Sequence, residues 1–428
     1  MGTMGSEKKR IAVIGGGISG LGAAYLLRHS AELTVYERNS YIGGHSRTVD
    51  IEVDGKQVPV DTGFIVYNER NYPFLSALFE DLSVPVVKTD MSFGVSIGDG
   101  WLEFGSAGLW GLFGSVRNVF SLNMWKMVLD ILKFNKRAME FAHADPSVSL
   151  KDCLDSIGVG DWFRQYFILP MGGSIWSCPI EEMLQFPAAS FIRFFNNHGL
   201  LTVRDHPQWY SVLGGSREYV QRILEELSDN LVVKPTAERV ERDPSGDGVT
   251  VYDSEGGAGR FDEVIFATHA DVTMKLLENP QSEERSVLSS FRFKRNEVVL
   301  HKDTSFMPRR RSAWSSWVYQ SDHTEDKNDA ISLSYWMNNL QALDTDVPVI
   351  VTLNPSKDPV AGTEFNRHSF SHPMFDEKAI RAQERIRDIQ GRDRLWFCGA
   401  WQRNGFHEDG LWSAVEVVRK MGVDVPWE

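Results

Sequence analysis

The chain has 428 residues, enough for two or three domains or one two-lobed unit with a large core. Its composition is that of a soluble globular protein, with 42% hydrophobic and 24% charged residues. A net charge of −13, from 45 basic and 58 acidic residues, leaves no basic excess to displace counterions, which excludes bulk nucleic-acid binding.

Three separated cysteines, Cys153, Cys178 and Cys398, make neither a disulfide framework nor a zinc site. They point to a reducing compartment and a cytoplasmic protein, and no metal is expected. The polar N-terminus contains no signal peptide, and no uncharged apolar run is long enough to span a membrane. Met1 to Ser6, with Lys8, Lys9 and Arg10 behind it, fits a myristoylation pattern, although so short a pattern often arises by chance.

Ile11-Ala12-Val13-Ile14 reads as a strand buried on both faces. Gly15, Gly17 and Gly20 follow as G-x-G-x-x-G, then a helix over 19–29, then a strand over 33–36 ending in Glu37. In such a unit the first glycine makes the turn, the second admits a pyrophosphate, and the third lets helix and sheet pack closely. The helix N-terminus offers unpaired N–H groups to the phosphates. Glu37 lies 17 residues past Gly20, where an acid accepts hydrogen bonds from a ribose and repels a 2′-phosphate. The unit is therefore a dinucleotide site of the NAD(P)-binding Rossmann kind. Ile42-Gly43-Gly44-His45-Ser46-Arg47-Thr48 is a second glycine turn with a basic residue, which a nicotinamide domain does not generally need.

This combination resembles the flavin amine oxidase superfamily, which includes monoamine oxidases, protoporphyrinogen oxidases and phytoene desaturases. There, a G-G-x-x-x-[ST] turn with an embedded Arg lies along the FAD pyrophosphate and ribityl chain. Gly43, Gly44, Arg47 and Thr48 match it. Val58 to Val66 resembles the family's D-x-G segment beneath the flavin ring, with Asp61 and Gly63 in place.

From Asn71 the chain becomes aromatic and helix-prone, with a hairpin over 91–105 turning at Gly98-Asp99-Gly100. Gly108 to Phe134 is rich in Trp, Phe, Leu and Met. It reads either as a membrane-surface helix pair or as the core of a helical lobe, and apolar helix faces are more often core. Pro170-Met171-Gly172-Gly173 is expected to break a helix and put Ser174 and Trp176 on a loop. The Gly214-Gly215 segment resembles the family's return to the flavin lobe. A strand over 231–233 follows, and the resemblance puts an adenine contact at Val240. Asp243 to Gly259 reads as a hairpin, and the acidic insert 322–329 as an exposed loop.

Phe261 to His269 resembles the family strand that returns under the dinucleotide, with His269 where proline is common. Leu395 to Trp401 and Gly405 to Val415 resemble the C-terminal flavin motif, which would bring the Gly410, Leu411 and Trp412 amides to the flavin pyrimidine edge. Gly399-Ala400 stands where many relatives carry Gly-Glu, and Asn296 falls where several amine-oxidising relatives carry a lysine. Cys398 does not match the position of covalent flavin attachment, so the FAD is expected to be non-covalent.

The resemblance implies an α/β chain. A Rossmann-type FAD-binding lobe of the glutathione-reductase kind would span 8–70, 205–290 and 390–425. An inserted α+β substrate lobe would span 71–204 and 291–389. It implies cofactor contacts at Gly15, Gly17, Ile18, Ser19, Gly20, Glu37 and Arg38, and in the second turn at Gly43, Gly44, His45, Arg47 and Thr48. Further contacts are implied at Thr62, Gly63, Phe64 and Ile65, at Val240, Ala267 and Thr268, and at Gly399, Ala400, Gly410, Leu411 and Trp412. Candidate pocket residues are Trp401, His407, Tyr335 and Trp336, with His407 and Trp401 the candidates for chemistry. A structural role for His407 is equally open, and Glu408 and Asp409 read as helix N-terminal acids. The expected activity is an FAD-dependent oxidation of a small apolar or lipid-like substrate. A fatty acyl chain is suggested by similarity to the flavoprotein portion of plant cyclopropane fatty acid synthases. The electron acceptor is unspecified and peripheral membrane contact is left open. An amine oxidase, a redox-neutral FAD-dependent isomerase or hydratase, and a non-catalytic flavin-binding partner are the alternatives.

Overall fold

The computed structural model describes residues 8–106, 111, 113–176, 179–201, 206–321 and 332–427. The Met1 to Ser6 pattern, the start of the apolar stretch at Gly108, Cys178 and the insert 322–329 lie outside the described residues.

The first strand, Lys9–Ile14, is the middle of a five-stranded parallel sheet. Ala31–Tyr36 pairs on one side and Glu263–Phe266 on the other, with Leu231–Lys234 and Leu395–Phe397 at the edges. Ile11 to Ile14 is buried throughout, as a central parallel strand covered on both faces must be. On one face the helix Ile18–Leu27, buried along its whole length, packs against the closing helix His407–Lys420 and against Arg217–Leu227. The other face is covered by an antiparallel sheet of Ala237–Arg242, Val249–Asp253 and Ala258–Phe261 and by the helix Ala270–Leu276. Two ends of the chain thus share one sheet and one core.

The second region is a seven-stranded sheet in the order Glu364–Met374, Arg292–His301, Ile350–Leu353, Ser332–Trp336, Trp317–Ser321, Phe93–Ile97, Leu102–Gly105. It is antiparallel except where Trp317–Ser321 runs parallel to Phe93–Ile97. Helices between residues 116 and 197 pack on it in one apolar core. Leu169–Trp176 is helix, not the expected loop. The helical run continues unbroken from Asp161 through a π turn at Arg164–Ile168, and Pro170 falls directly after that widened turn, where the regular bond ladder is already interrupted. Ser174 and Trp176 are both buried on that helix.

The apolar helix Leu122–Arg137 corrects the expectation that its face is core. Met124, Met127 and Phe134 are buried, but Leu122, Trp125, Leu129 and Leu132 are exposed.

A small sheet connects the regions, with Trp209–Val212 between Val66–Asn68 and Val86–Thr89. Asp61 ties this junction together. Its carboxylate, 1% exposed, accepts from Thr48 Oγ1 at 2.6 Å, Ser216 N at 2.9 Å, Ser216 Oγ at 2.7 Å and Gln341 Nε2 at 2.8 Å. Burial nevertheless pushes its pKa up to about 6.

Candidate functional site

A cavity of about 1160 Å3 runs from the C-terminal ends of the parallel strands into the second region. Ligand pockets typically enclose roughly 300–1,000 Å3, so this one has room for a large cofactor and a substrate together.

At the sheet end the walls are mostly backbone. The Gly15 amide donates to Tyr36 O at 2.8 Å, holding the turn against the second strand. A Cβ on Gly20 would lie 1.9 Å from Gly15 O, so this position requires glycine for packing. A Cβ on Gly17 would meet nothing closer than Gly44 Cα at 3.9 Å and would instead stand in the cavity. Gly17 is the N-cap of the first helix and no side chain caps that end, so the first-turn amides are free for an anion. The second glycine turn abuts the first: Gly43 N donates to Gly16 O at 2.8 Å, and Gly17 bridges Gly43. Glu37 sits at the end of the second strand, where its Oε2 accepts Gly16 N at 2.9 Å and its Oε1 accepts Asn39 N at 2.7 Å. An uncapped helix end, an open glycine and an oriented acid together fit a dinucleotide.

Of the expected contacts, Gly15, Gly17, Ile18, Ser19, Glu37, Arg38, Gly44 and His45 line the cavity. So do Gly63, Phe64, Ile65, Ala267, Thr268, Gly399 and Ala400. Gly20 and Gly43 shape the turns from behind.

Several expected contacts lie off the cavity wall. Arg47 does not line the cavity; its Nη1 donates to Thr62 Oγ1 and Asn366 Oδ1, both at 3.1 Å. Thr48 and Thr62 are likewise occupied, one on Asp61 and the other on Arg47. Val240 is fully buried in the strand Ala237–Arg242, and its carbonyl accepts from Glu278 N at 2.9 Å. Thr236 and Ala237, where the chain leaves the edge strand Leu231–Lys234, line the cavity instead. Gly410, Leu411 and Trp412 also miss it. The closing helix begins at His407, so its free first-turn amides belong to residues 407–409, while Gly410 N already donates to Phe406 O at 3.1 Å. Leu411 is core and Trp412 stacks under Arg403.

The two candidates for chemistry are held structurally. Trp401 touches the cavity wall but is 2% exposed, and its Nε1 donates to Thr268 O at 3.1 Å, joining two strand ends. The His407 ring stacks on Phe64 with centroids 3.9 Å apart. Its Nε2 lies 2.7 Å from Tyr219 Oη and 3.3 Å from Ser46 Oγ. Burial lowers its pKa to about 3, so the ring is neutral at physiological pH. Asp409 accepts from Phe406 N at 2.9 Å, satisfying the N-cap amide of its own helix. Glu408 turns outward from its own helix: it accepts Phe74 N at 3.0 Å and Leu75 N at 2.9 Å, capping the helix Pro73–Asp81. Burial raises its pKa to about 7.

The middle of the cavity holds an imidazole cluster that the sequence did not single out. His45 stacks on Phe370 at 4.4 Å and lies 5.4 Å from His372, while His269 stacks on Phe293 at 4.2 Å. Burial lowers all three pKa values, His269 and His372 to about 4, so these rings are neutral. Asn296 does not line the cavity; it is fully buried behind the cluster, where its Nδ2 lies 3.0 Å from His372 Nδ1 and its Oδ1 accepts from Asn354 Nδ2 at 2.8 Å.

The far end is apolar: Met91, Phe93, Met171, Ile175, Trp176, Phe194, Leu200, Trp209 and Trp317 surround it, with Tyr335. Trp336 points to the other face of its strand and packs edge-on against Trp314 at 5.2 Å. The indole Nε1 atoms of Trp176 and Trp317 are buried with no hydrogen-bond partner among the described residues.

A family described as an NAD(P)-binding Rossmann-like domain matches residues 13–82. The protein named "Putative flavin-containing monoamine oxidase AofH" of Mycobacterium tuberculosis is 25% identical over 264 residues, 58% of this chain and 54% of that one. The chain thus spans about half the length of the curated relatives it matches. Among solved structures, cyclohexylamine oxidase from Brevibacterium oxydans superposes with a TM-score of 0.70 at 15% identity, covering 97% of this chain and 100% of that one. A fatty acid isomerase from P. acnes superposes with a TM-score of 0.68 at 13% identity, covering 96% and 98%. The chain shares the fold of these two solved structures, a mixed α/β architecture built on a Rossmann-type unit.

Within that fold, the glycine turns, Glu37 and the start of the closing helix converge on one cavity. Among the described residues no group of three or more His, Cys, Asp or Glu side chains is placed to hold a metal, and no helix is long and apolar enough to cross a membrane.

Proposed function

We propose that the chain is an FAD-dependent oxidoreductase acting on an apolar, oxygen-bearing substrate such as a fatty acyl chain. The observation that carries this reading is the continuity of the cavity, from a dinucleotide cradle to an apolar chamber. The free amides after Gly17 and the Glu37 carboxylate would hold the pyrophosphate and ribose. Thr236 and Ala237 would border the adenine, and Gly63 to Ile65 and the start of the closing helix the flavin ring. Non-covalent binding is supported by Cys398, which is fully buried in core away from the cavity.

FAD, when bound, accepts a hydride from a substrate C–H bond. The chain's own part is to orient that bond and exclude water. The chamber walls bury an apolar chain, and the unpartnered N–H groups of Trp176 and Trp317 would donate to a substrate oxygen. An unpaired buried donor costs about 1–3 kcal/mol, which such an acceptor would recover. The neutral histidines give the ring region hydrogen-bonding groups without charge. No carboxylate lines the apolar end among the described residues, which disfavours a cationic amine there.

The test is anaerobic mixing of the yellow holoprotein with unsaturated and branched acyl lipids, amines and carotenoids. Bleaching by acyl lipids alone is the expected result. Bleaching by amines alone overturns the substrate class, and lipid turnover without net bleaching makes the enzyme an isomerase or hydratase. No response to any compound favours a non-catalytic flavoprotein.

A further inference from the structure

The helix Leu122–Arg137 is apolar on two faces. Met124, Met127 and Phe134 face inward and join the core, so the lobe is already packed. Leu122, Trp125, Leu129 and Leu132 follow at i, i+3, i+7 and i+10 and make a second stripe along the outside. They are 78%, 47%, 63% and 53% exposed, and Phe120, just before the helix, is 82% exposed. Lone exposed apolar residues are ordinary, but a contiguous stripe of large ones marks a contact surface.

The charge around the stripe says what it contacts. Between Arg117 and Glu140 the chain carries Arg117, Lys126, Lys133, Lys136 and Arg137 against Asp130 and Glu140, the latter paired with Arg137: five minus two, or +3, in a chain of net −13. Lys126 and Lys136 are exposed beside the stripe, while Asp130 is engaged by Gly160 N at 3.0 Å. The Trp125 indole is anchored by its Nε1 donating to Val119 O at 2.8 Å, which leaves the half-exposed ring on the outer face. Leucine and tryptophan flanked by lysines suit the boundary of an anionic bilayer, where the lysine stems lie along apolar surface and the ammonium groups meet phosphate. A second copy fits poorly, because a two-fold contact through this patch would set two +3 surfaces together.

We infer that the helix Leu122–Arg137 is a membrane-surface docking element, laying its Leu122-Trp125-Leu129-Leu132 stripe into a leaflet that contains anionic phospholipid. The helix packs on Asp161–Phe163, and the same run of helix leads to Met171, Ile175 and Trp176 of the apolar chamber. Docking would therefore bring the chamber wall close to a lipid source. The inference stands apart from the flavin reading, since its readout is binding and not turnover.

The test is flotation of the full-length protein with two kinds of vesicle. One is pure phosphatidylcholine, and the other carries about 30% phosphatidylserine. The wild type is expected to float with the anionic vesicles, at least about fivefold more than with the neutral ones, and to be released by salt. L129E/L132E and, separately, K126E/K136E are expected to lower that binding by about tenfold or more, with thermal stability and bound chromophore unchanged. These side chains are exposed, so neither variant disturbs the core. Failure to float, equal flotation with both vesicle types, or full flotation of L129E/L132E overturns the inference. So does a wild-type dimer that L129E/L132E converts to monomer, since the stripe would then be a self-contact.

Discussion

The two ends of the cavity are built by opposite means. The cradle around Gly15 to Ser19 is made of backbone amides, carbonyl oxygens and the absence of side chains, with the Glu37 carboxylate held against it by Gly16 N. The chamber around Trp176, Phe194 and Trp317 is made entirely of side chains brought from distant helices and strands. A backbone site tolerates little change because a single Cβ collides with fixed atoms. A side-chain site can be rebuilt residue by residue, which is how one fold comes to serve different substrates. The cradle therefore reports the cofactor and the chamber the substrate.

The sharpest way to break that contrast is to add one methyl group to the cradle. Gly20→Ala places a Cβ against Gly15 O and is expected to destabilise the protein itself by about 3 kcal/mol or more, read as a lower unfolding midpoint with or without FAD. Gly17→Ala has room among protein atoms but intrudes on the pyrophosphate path. It is expected to leave the apoprotein's midpoint nearly unchanged while weakening FAD binding by about tenfold or more, roughly 1.4 kcal/mol.

The junction between the regions responds to pH. Glu408 has a pKa near 7 in the folded protein against an ordinary value of 4.5, so the folded state holds this proton more tightly than the unfolded chain. Its contribution is fully present below about pH 4.5 and declines as pH rises toward 7, a loss of about 3 kcal/mol. Glu408→Gln should reduce the fall in urea midpoint between pH 5 and pH 8. Asp61 and Asp409, whose pKa values burial raises to about 6, keep part of the slope.

The smallest expected effect lies in the chamber. Trp317→Phe keeps the aromatic wall and removes one N–H donor. It should raise KM for an oxygen-bearing substrate about fivefold, close to 1 kcal/mol, with little change in kcat or FAD affinity. An unchanged KM would remove Trp317 from substrate recognition.

The same contrast explains what could be read from the sequence. Gly15, Gly17, Gly20 and Glu37 were legible because a tight turn, a close phosphate and a ribose hydroxyl leave few residue choices at fixed spacing. Spacing left element starts open by two or three residues. The closing helix begins at His407, so its free amides are those of residues 407–409, and the cavity wall is formed by Thr236 and Ala237 and not by Val240. Tyr335 and Trp336 are adjacent and equally aromatic, and only the strand's two-residue alternation separates chamber from outer face. The neutral cluster of His45, His269 and His372 comes from three distant segments, so nothing local announces it. The helix Leu122–Arg137 is the plainest case. Its composition suggested core, and only burial distinguishes the inward methionines from the outward leucines.

The central claim is that the glycine turns near the N-terminus and the helix near the C-terminus enclose one FAD. The direct measurement is the visible spectrum of the purified full-length protein, with the chromophore released by denaturation and quantified per chain. The account predicts a yellow protein that releases close to one FAD per chain without proteolysis. A colourless protein that takes up no FAD after partial unfolding and refolding in its presence would contradict it.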